Sequence, residues 1–395
     1  MWRHVASNAL TFFIVALFLL GGVITWGAGQ YSAAGPLAQA ICLRVEQGSN
    51  MRAVGADLTA QGAVSSGMIF GVGADYSGKS AALKAGSFLV PEAASMQDIV
   101  DIVTRGGAST CGTEVVYRIG IARVLVEVRE LDAATNRFVD IAKFEPEVEP
   151  TPPEYTDVRA KADTRFRIAL AEGVTSWQVM TELNGLDVLE GDVTLVPPEG
   201  SLAPDSYEVV PGMQVADLLA QMTTEQNGIL AELWAQRAAD LPISTPEEAL
   251  VLASLVEKET GVAAERAMVA GVFVNRLRQG IKLQTDPAVI YGVTGGQGLL
   301  GRGLRASELR ASTPYNTYVI DGLPPTPIAN PGREAIAAAL NPAATDFVFF
   351  VADGTGGHAF AATLEEHNIN VARWREIEAQ QAAEAAANGT AVEGQ

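Results

Sequence analysis

Two glutamates, Glu257 and Glu259, close an amphipathic stretch that runs from Glu247 to Thr260. On a helix turning about 100° per residue, with Glu259 set at zero, Leu252 falls near +20°, Leu255 near −40° and Val256 near +60°. Glu259 therefore extends the apolar stripe. By the same arithmetic Glu257 lies about 160° away and Ser254 about −140°, so Glu257 reads as a solvated residue. A carboxyl turned toward the core loses water, and desolvation disfavours its charged form. A carboxyl that keeps its proton near neutral pH is what a general acid for glycosidic cleavage requires. The alternative is a helix-end glutamate where the stripe meets solvent.

Other groups suited to a sugar follow. Asn275 and Arg276 lie on the next helical stretch, Gln284-Thr285-Asp286-Pro287 and Tyr291 form a polar and aromatic loop, and Tyr315-Asn316-Thr317-Tyr318 forms another. Aromatic faces pack on sugar C–H bonds, and amides bond hydroxyls in pairs. Each cluster is also compatible with turn chemistry, since Asp-Pro and Asn-Pro commonly start helices. Arg276 could hold a carboxylate or tie two helices together. His358 could orient Glu259 or satisfy a backbone carbonyl.

The elements that must hold these residues are legible in part. Thr245-Pro246-Glu247-Glu248 reads as a capped helix start, expected to run to about Thr260 and end at Gly261. A second helix is expected from about Ala264 to Gln279, stopped by Gly280, and a third from Asn330-Pro331-Gly332 to near Leu340. Phe347 to Val351 reads as a buried strand, and Gly354-Thr355-Gly356-Gly357 turns the chain into His358-Ala359-Phe360. Earlier, a strand, a glycine turn and a short helix occur near Gly48 and again near Gly173. A second strand–turn–helix follows each, at Phe88 to Val100 and Tyr207 to Leu219. This order resembles a LysM module, a small βααβ fold that often contacts peptidoglycan; a plain α/β scaffold reads equally well. The fold class is α+β.

The 395 residues are 48% hydrophobic, with 27 basic and 46 acidic residues giving a net charge of −19. That balance argues against a nucleic-acid partner, because phosphate binding needs clustered Lys and Arg. No charged residue separates Arg3 from Arg44, and Ala9 to Trp26 is almost wholly apolar. Roughly 20 such residues span a bilayer, with Arg3 on the cytoplasmic side and Trp26 and Tyr31 at the far interface. A cleaved signal peptide is the alternative reading. Cys42 and Cys111 could pair in an oxidising compartment or stay free. With His4, His358 and His367 the only histidines, and no His-Glu-x-x-His pattern, neither a metal site nor a cofactor is expected. The stretch Glu145 to Pro153, rich in Pro and Glu, reads as a linker or loop, and Gln380 to Gln395 as a frayed helix followed by disorder.

A series of motifs resembles one family, the endolytic murein transglycosylases of the MltG (YceG-like) type. They are Leu252-Ala253-Ser254-Leu255-Val256-Glu257-Lys258-Glu259-Thr260, Val272-Phe273-Val274-Asn275-Arg276-Leu277, Leu283-Gln284-Thr285-Asp286-Pro287, Ile290-Tyr291-Gly292, Thr313-Pro314-Tyr315-Asn316-Thr317-Tyr318, Gly322-Leu323-Pro324-Pro325, Pro327-Ile328-Ala329-Asn330-Pro331-Gly332, Phe350-Val351-Ala352-Asp353-Gly354 and Gly356-Gly357-His358-Ala359-Phe360. The resemblance covers roughly residues 165 to 375; the stretch from about Gly112 to Thr164 is longer than the family's pattern. It implies one catalytic glutamate, falling on Glu259, and cleavage of the MurNAc–GlcNAc β-1,4 bond in nascent peptidoglycan, ending strand growth. Asn275, Arg276, Gln284, Asp286, Tyr291, Tyr315, Asn316, Tyr318 and His358 are then the candidates for holding glycan. Asp286 would be the second carboxylate if the reaction were hydrolysis. The implied partners are glycan strands and the peptidoglycan synthases (penicillin-binding proteins); the rival is a silent scaffold that recruits those synthases. The expected layout is a cytoplasmic stub and inner-membrane anchor (1–29), a periplasmic LysM-like module (30–115), an insertion and linker (116–163), a catalytic domain (164–376) and a disordered tail (377–395).

Overall fold

The computed structural model describes residues 2–105, 110–161 and 163–387. It divides into two compact units, Met1–Val116 with Val126–Phe166, and Tyr117–Leu125 with Arg167–Gln395. Both mix helix and sheet, as expected for the α+β class.

The first unit begins with helix α1, Trp2–Ser32. Its segment Leu10–Ser32 has mean hydropathy 2.2 and is long and apolar enough to cross a membrane. Strand β1 (Ile41–Val45), helices α2 (Met51–Ala60) and α3 (Gly67–Tyr76), strand β2 (Gly86–Val90) and helix α4 (Met96–Thr104) follow. β1 and β2 pair antiparallel, from Ile41 opposite Val90 to Val45 opposite Gly86. Gly48 supplies the positive φ of 81° that turns the chain from β1 into α2. Asn50 and Ser95 cap α2 and α4 through their side chains, the latter in a reciprocal capping box with Asp98. The core gathers Leu43, Val54, Leu58, Phe70, Val90, Ile99, Val100 and Val103. α3 was not foreseen; its glycines and its exposed apolar residues hide the helical period.

Cys42 and Cys111 form a disulfide, their Cα atoms 5.7 Å apart, inside the usual range for such a bond. The long stretch after Gly112 is strand-rich: β3 (Thr113–Ile119), β4 (Val124–Asp132) and β5 (Arg137–Phe144). β4 and β5 pair antiparallel with an irregularity between Val128 and Arg129. The Pro/Glu stretch is a turn closed by Val148 and Glu149 N–H on Glu145 O, and it leads into α5 (Pro153–Arg159).

The second unit carries β6 (Arg165–Leu170), α6 (Ser176–Gly185), β7 (Leu189–Glu190), β8 (Ser206–Val209), β9 (Met213–Gln214) and α7 (Val215–Ala235). β6 neighbours β8, and β7 pairs parallel with β9. The repeat seen in the sequence is present: Gly173, with φ 80°, precedes α6, which Thr175 and Gln178 cap reciprocally. Next come α8 (Pro246–Glu259), α9 (Arg266–Gln279), α10 (Asp286–Thr294) and α11 (Arg333–Leu340). The hairpin of β10 (Phe349–Ala352) and β11 (His358–Ala361) precedes α12 (Leu364–Ala387). β10 is half-buried rather than fully buried, because it belongs to a two-stranded hairpin that packs chiefly on α12 and α9. α12 continues as helix to Ala387; the rest of the expected tail, 388–395, lies outside the described residues.

Candidate active site

α8 is the central helix of the second unit. Thr245 accepts a hydrogen bond from Glu248 N and Pro246 occupies the first turn, which start the helix as expected. The Glu248 carboxylate returns to Ser244 N rather than to the cap residue. α7, α9, α10 and α11 all pack on α8, and every residue from Val251 to Val256 is buried. This corrects the reading of Glu257 as a solvated residue. Its side chain is 5% exposed, accepts Gly332 N at 2.9 Å and lies 3.8 Å from the Arg266 guanidinium. Ser254 is buried too, donating to Val251 O and accepting Ile328 N. Helical-wheel arithmetic separates faces only when one of them meets water, and from Val251 to Val256 none does.

Glu259 is the last residue of α8, ahead of the extended Thr260 cap. It is half-buried, and its carboxyl faces groups from four other segments: Thr285 and Asp286 at the start of α10, Arg276 of α9, His358 of β11, and Tyr318 of a loop. Burial holds its proton to a higher pH than an ordinary glutamate, and the Asp286 carboxylate adds to that. Thr285, through its hydroxyl, His358 and the Arg276 guanidinium pull the other way. Thr285 Oγ1 is buried and has no hydrogen-bond partner at strict geometry, so its proton is available to the carboxyl.

Four of the expected residues thus gather around Glu259. Arg276 is buried and committed to scaffold carbonyls: Nε donates to Val348 O at 2.6 Å and Nη1 to Leu283 O at 2.5 Å. It ties α9 to the segment that leads into β10 and to the loop before α10, which favours the tie over the carboxylate clamp. Asp286 is exposed and accepts the Tyr318 hydroxyl at 2.7 Å, and that bond and burial both push the Tyr318 hydroxyl's pKa up. His358 Nδ1 lies 2.8 Å from Glu265 Oε2, while its backbone N–H donates to Glu265 Oε1 at 2.9 Å. The Phe350 ring meets the imidazole edge-on at 5.2 Å.

Glu265 was missed. A glutamate just ahead of a helix is an ordinary favourable placement, so its sequence position carries no signal. The nearby glycine does: a Cβ at Gly357 would fall 2.5 Å from Glu265 Oε1, so this carboxylate reaches the hairpin only past a glycine.

The remaining expected residues divide. Gln284 is exposed beside Thr285, with a left-handed φ of 50°; such backbone in a non-glycine residue is uncommon and clusters at functional sites. Tyr291 and Tyr315 pair with ring centroids 5.0 Å apart. Tyr291 donates to Glu199 Oε2 at 3.0 Å, and the Tyr315 hydroxyl meets Thr326 Oγ1 at 2.7 Å. Tyr291 stands five residues beyond Asp286, about 7.5 Å along α10. Burial raises the Glu199 carboxyl, the second buried acid absent from the sequence reading. Asn275 and Asn316 are turned to the scaffold. Asn275 Nδ2 donates to Thr345 O and Phe347 O. Asn316 is fully buried, with Nδ2 on Glu308 O, Leu309 O and Ala311 O and Oδ1 accepting Tyr318 N. Among the described residues no group of three or more His, Cys, Asp or Glu side chains could hold a metal ion.

An α+β unit whose central helix ends in one desolvated glutamate, ringed by a threonine, a carboxylate, a tyrosine and a histidine, is the class of site defined here. The YceG-like family matches residues 43–373, and the chain belongs to that family. It is 27% identical over 345 residues to an endolytic murein transglycosylase of Streptococcus pneumoniae serotype 2 (strain D39 / NCTC 7466), covering 84% of this chain and 58% of that protein. Over 173 residues it is 36% identical to an endolytic murein transglycosylase of Bacillus subtilis (strain 168), covering 44% of this chain and 46% of that one. The chain thus spans about half the length of the curated relatives it matches. A solved YceG-like protein of Listeria monocytogenes is 22% identical with a TM-score of 0.43, covering 84% of this chain and 98% of that one.

Proposed function

We propose that this chain is an endolytic lytic transglycosylase of peptidoglycan, with Glu259 as its single acid and base. The observation that carries the proposal is the Glu259 carboxyl at the meeting point of α8, α9, α10 and the β10–β11 hairpin, where burial raises its pKa. The names of the pneumococcal and Bacillus relatives supply the substrate class.

In the proposed reaction, Glu259 protonates the oxygen of a MurNAc–GlcNAc β-1,4 bond. The bond breaks through an oxocarbenium-like state, and the GlcNAc-bearing fragment leaves with its hydroxyl. The Glu259 carboxylate then takes the proton of the C6 hydroxyl on the same MurNAc, and that oxygen closes on C1. The product is a 1,6-anhydro end and the acid is restored. Because the nucleophile belongs to the substrate, its effective concentration is high, and no second protein carboxylate is needed across the bond, as hydrolysis would require. Asp286, exposed and bonded to Tyr318, acts as a hydrogen-bonding residue beside the acid. Gln284, Tyr318 and the Tyr291–Tyr315 pair line the glycan path, while Arg276, Asn275 and Asn316 build its walls.

The larger assignment follows the same reading. α1 anchors the chain in the inner membrane with the remainder in the periplasm, where the Cys42–Cys111 disulfide is stable. β1, α2, α3 and β2, in βααβ order, serve as a LysM-like module. Chain cleavage ends strand growth alongside the synthases. Incubating purified uncrosslinked glycan with the wild-type chain and with Glu259→Gln tests the proposal: internal fragments from the former only are expected, and equal fragments from both would overturn the role of Glu259.

A further inference from the structure

Helix α3 displays an apolar stripe that stays exposed among the described residues. Met68, Val72 and Tyr76 are 80%, 63% and 95% exposed. Spaced four residues apart, they cover an arc of about 80° on the helix. The opposite side of α3, at Phe70 and Ala74, is fully buried in the first unit's core. A soluble surface scatters its exposed large apolar residues, and one that gathers them marks an interaction site.

What covers the stripe follows from its distance to the bilayer. α1 ends at Ser32, and Gly35 N–H already donates to Ala93 O. Three residues span about 10 Å at most, so the unit has no free linker below it. Tyr31, on the last turn of α1, packs into the same core as α3. The contact is close: a Cβ on Gly73 would fall 2.3 Å from the Tyr31 ring. The end of an apolar helix long enough to span a bilayer is therefore fixed directly against α3. Tyrosine belongs at the interface of headgroup and acyl chain, and Tyr76 and Tyr31 both lie there if α1 spans. Asp75 flanks the stripe, its carboxylate taken by the Ser80 hydroxyl, and suits the wet side of such a boundary.

We infer that α3 rests on the outer leaflet of the bilayer that α1 crosses, with Met68, Val72 and Tyr76 in the headgroup–acyl boundary. The inference rests on the reading of α1 as a membrane anchor. Helices with one apolar face bind membranes in this way, in the plane of the interface. The contact would hold the first unit at a fixed height and orientation on the membrane rather than let it swing on the anchor.

The full chain, disulfide intact, is reconstituted into phosphatidylethanolamine–phosphatidylglycerol vesicles with p-benzoylphenylalanine replacing one residue at a time. Tyr76 tests the stripe, Phe18 (79% exposed on α1) tests the anchor, and Val148 (78% exposed on the β5–α5 turn) is the control. After irradiation, intact mass and peptide mapping identify the adducts. Lipid adducts at positions 18 and 76, with none at 148, are the expected result. Lipid at 18 without lipid at 76 overturns the inference and leaves the anchor standing, as does cross-linking of position 76 to a second protein chain. No lipid at either 18 or 76 removes the anchor reading and the inference with it.

Discussion

Arg276→Met separates a wall residue from a substrate clamp. The guanidinium is buried and bonds Val348 O and Leu283 O at 2.6 and 2.5 Å. Methionine keeps the apolar stem but is shorter and donates nothing, so two buried carbonyls lose their partners. Each such loss costs about 1–3 kcal/mol, and bonds to a charged donor sit toward the upper part. A destabilisation of about 3 kcal/mol or more is expected, or a fall in melting temperature of roughly 6–12 °C for a unit of this size. Arg276 also pulls the Glu259 carboxyl downward, so its removal should move the basic limb of the activity profile to higher pH. Thermal unfolding of the full chain by circular dichroism, with KM on purified glycan strands below the new melting temperature, reads both effects. An unchanged melting temperature with a raised KM would refute the wall assignment and restore Arg276 as a carboxylate clamp.

Three further outcomes follow from the same geometry. The catalytic form of Glu259 is protonated, so activity falls as pH rises through its elevated folded pKa; Asp286→Asn removes the like charge that raises it, and the basic limb of kcat/KM should shift to lower pH, whereas an unmoved or upward-shifted limb contradicts the account. Asn316→Ala removes a fully buried amide and orphans three carbonyls and the Tyr318 N–H, and should cost about 2–4 kcal/mol in a denaturant titration; a variant of wild-type stability with weak glycan binding would place the amide in the groove instead. Glu265→Gln keeps the shape but weakens the hold on His358 Nδ1. A loss of about 1.4 kcal/mol in orienting His358 toward Glu259 lowers kcat about tenfold with KM nearly unchanged, and a change confined to melting temperature would reduce the pair to a structural role.

Much of this site could be read before any coordinates. Helix starts and stops follow local rules, so Thr245, Pro246 and the left-handed Gly280 mark the ends of α8 and α9 correctly. Glu259 stands out in the sequence because it places a carboxyl on an apolar stripe. The same argument misplaced Glu257, because the wheel assumes water on the far side of α8, and α11 stands there instead. Polar residues near the acid could be gathered by type, but type does not reveal who takes each proton. Asn275 and Asn316 look like sugar-binding amides, and in the folded chain backbone carbonyls take their donors. Glu265 and Glu199 reach their partners across long sequence separations, and nothing local announces that.

The central claim is that the new chain end is made by the substrate's own C6 hydroxyl. Cleavage run in oxygen-18 water, with fragments analysed by mass spectrometry, tests it most directly. The account predicts internal fragments that are 1,6-anhydro species, carry no oxygen-18 and vanish with Glu259→Gln. Reducing ends bearing one oxygen-18 from solvent would contradict it: a water would then be the nucleophile, and Asp286 would return as the second carboxylate of a hydrolase.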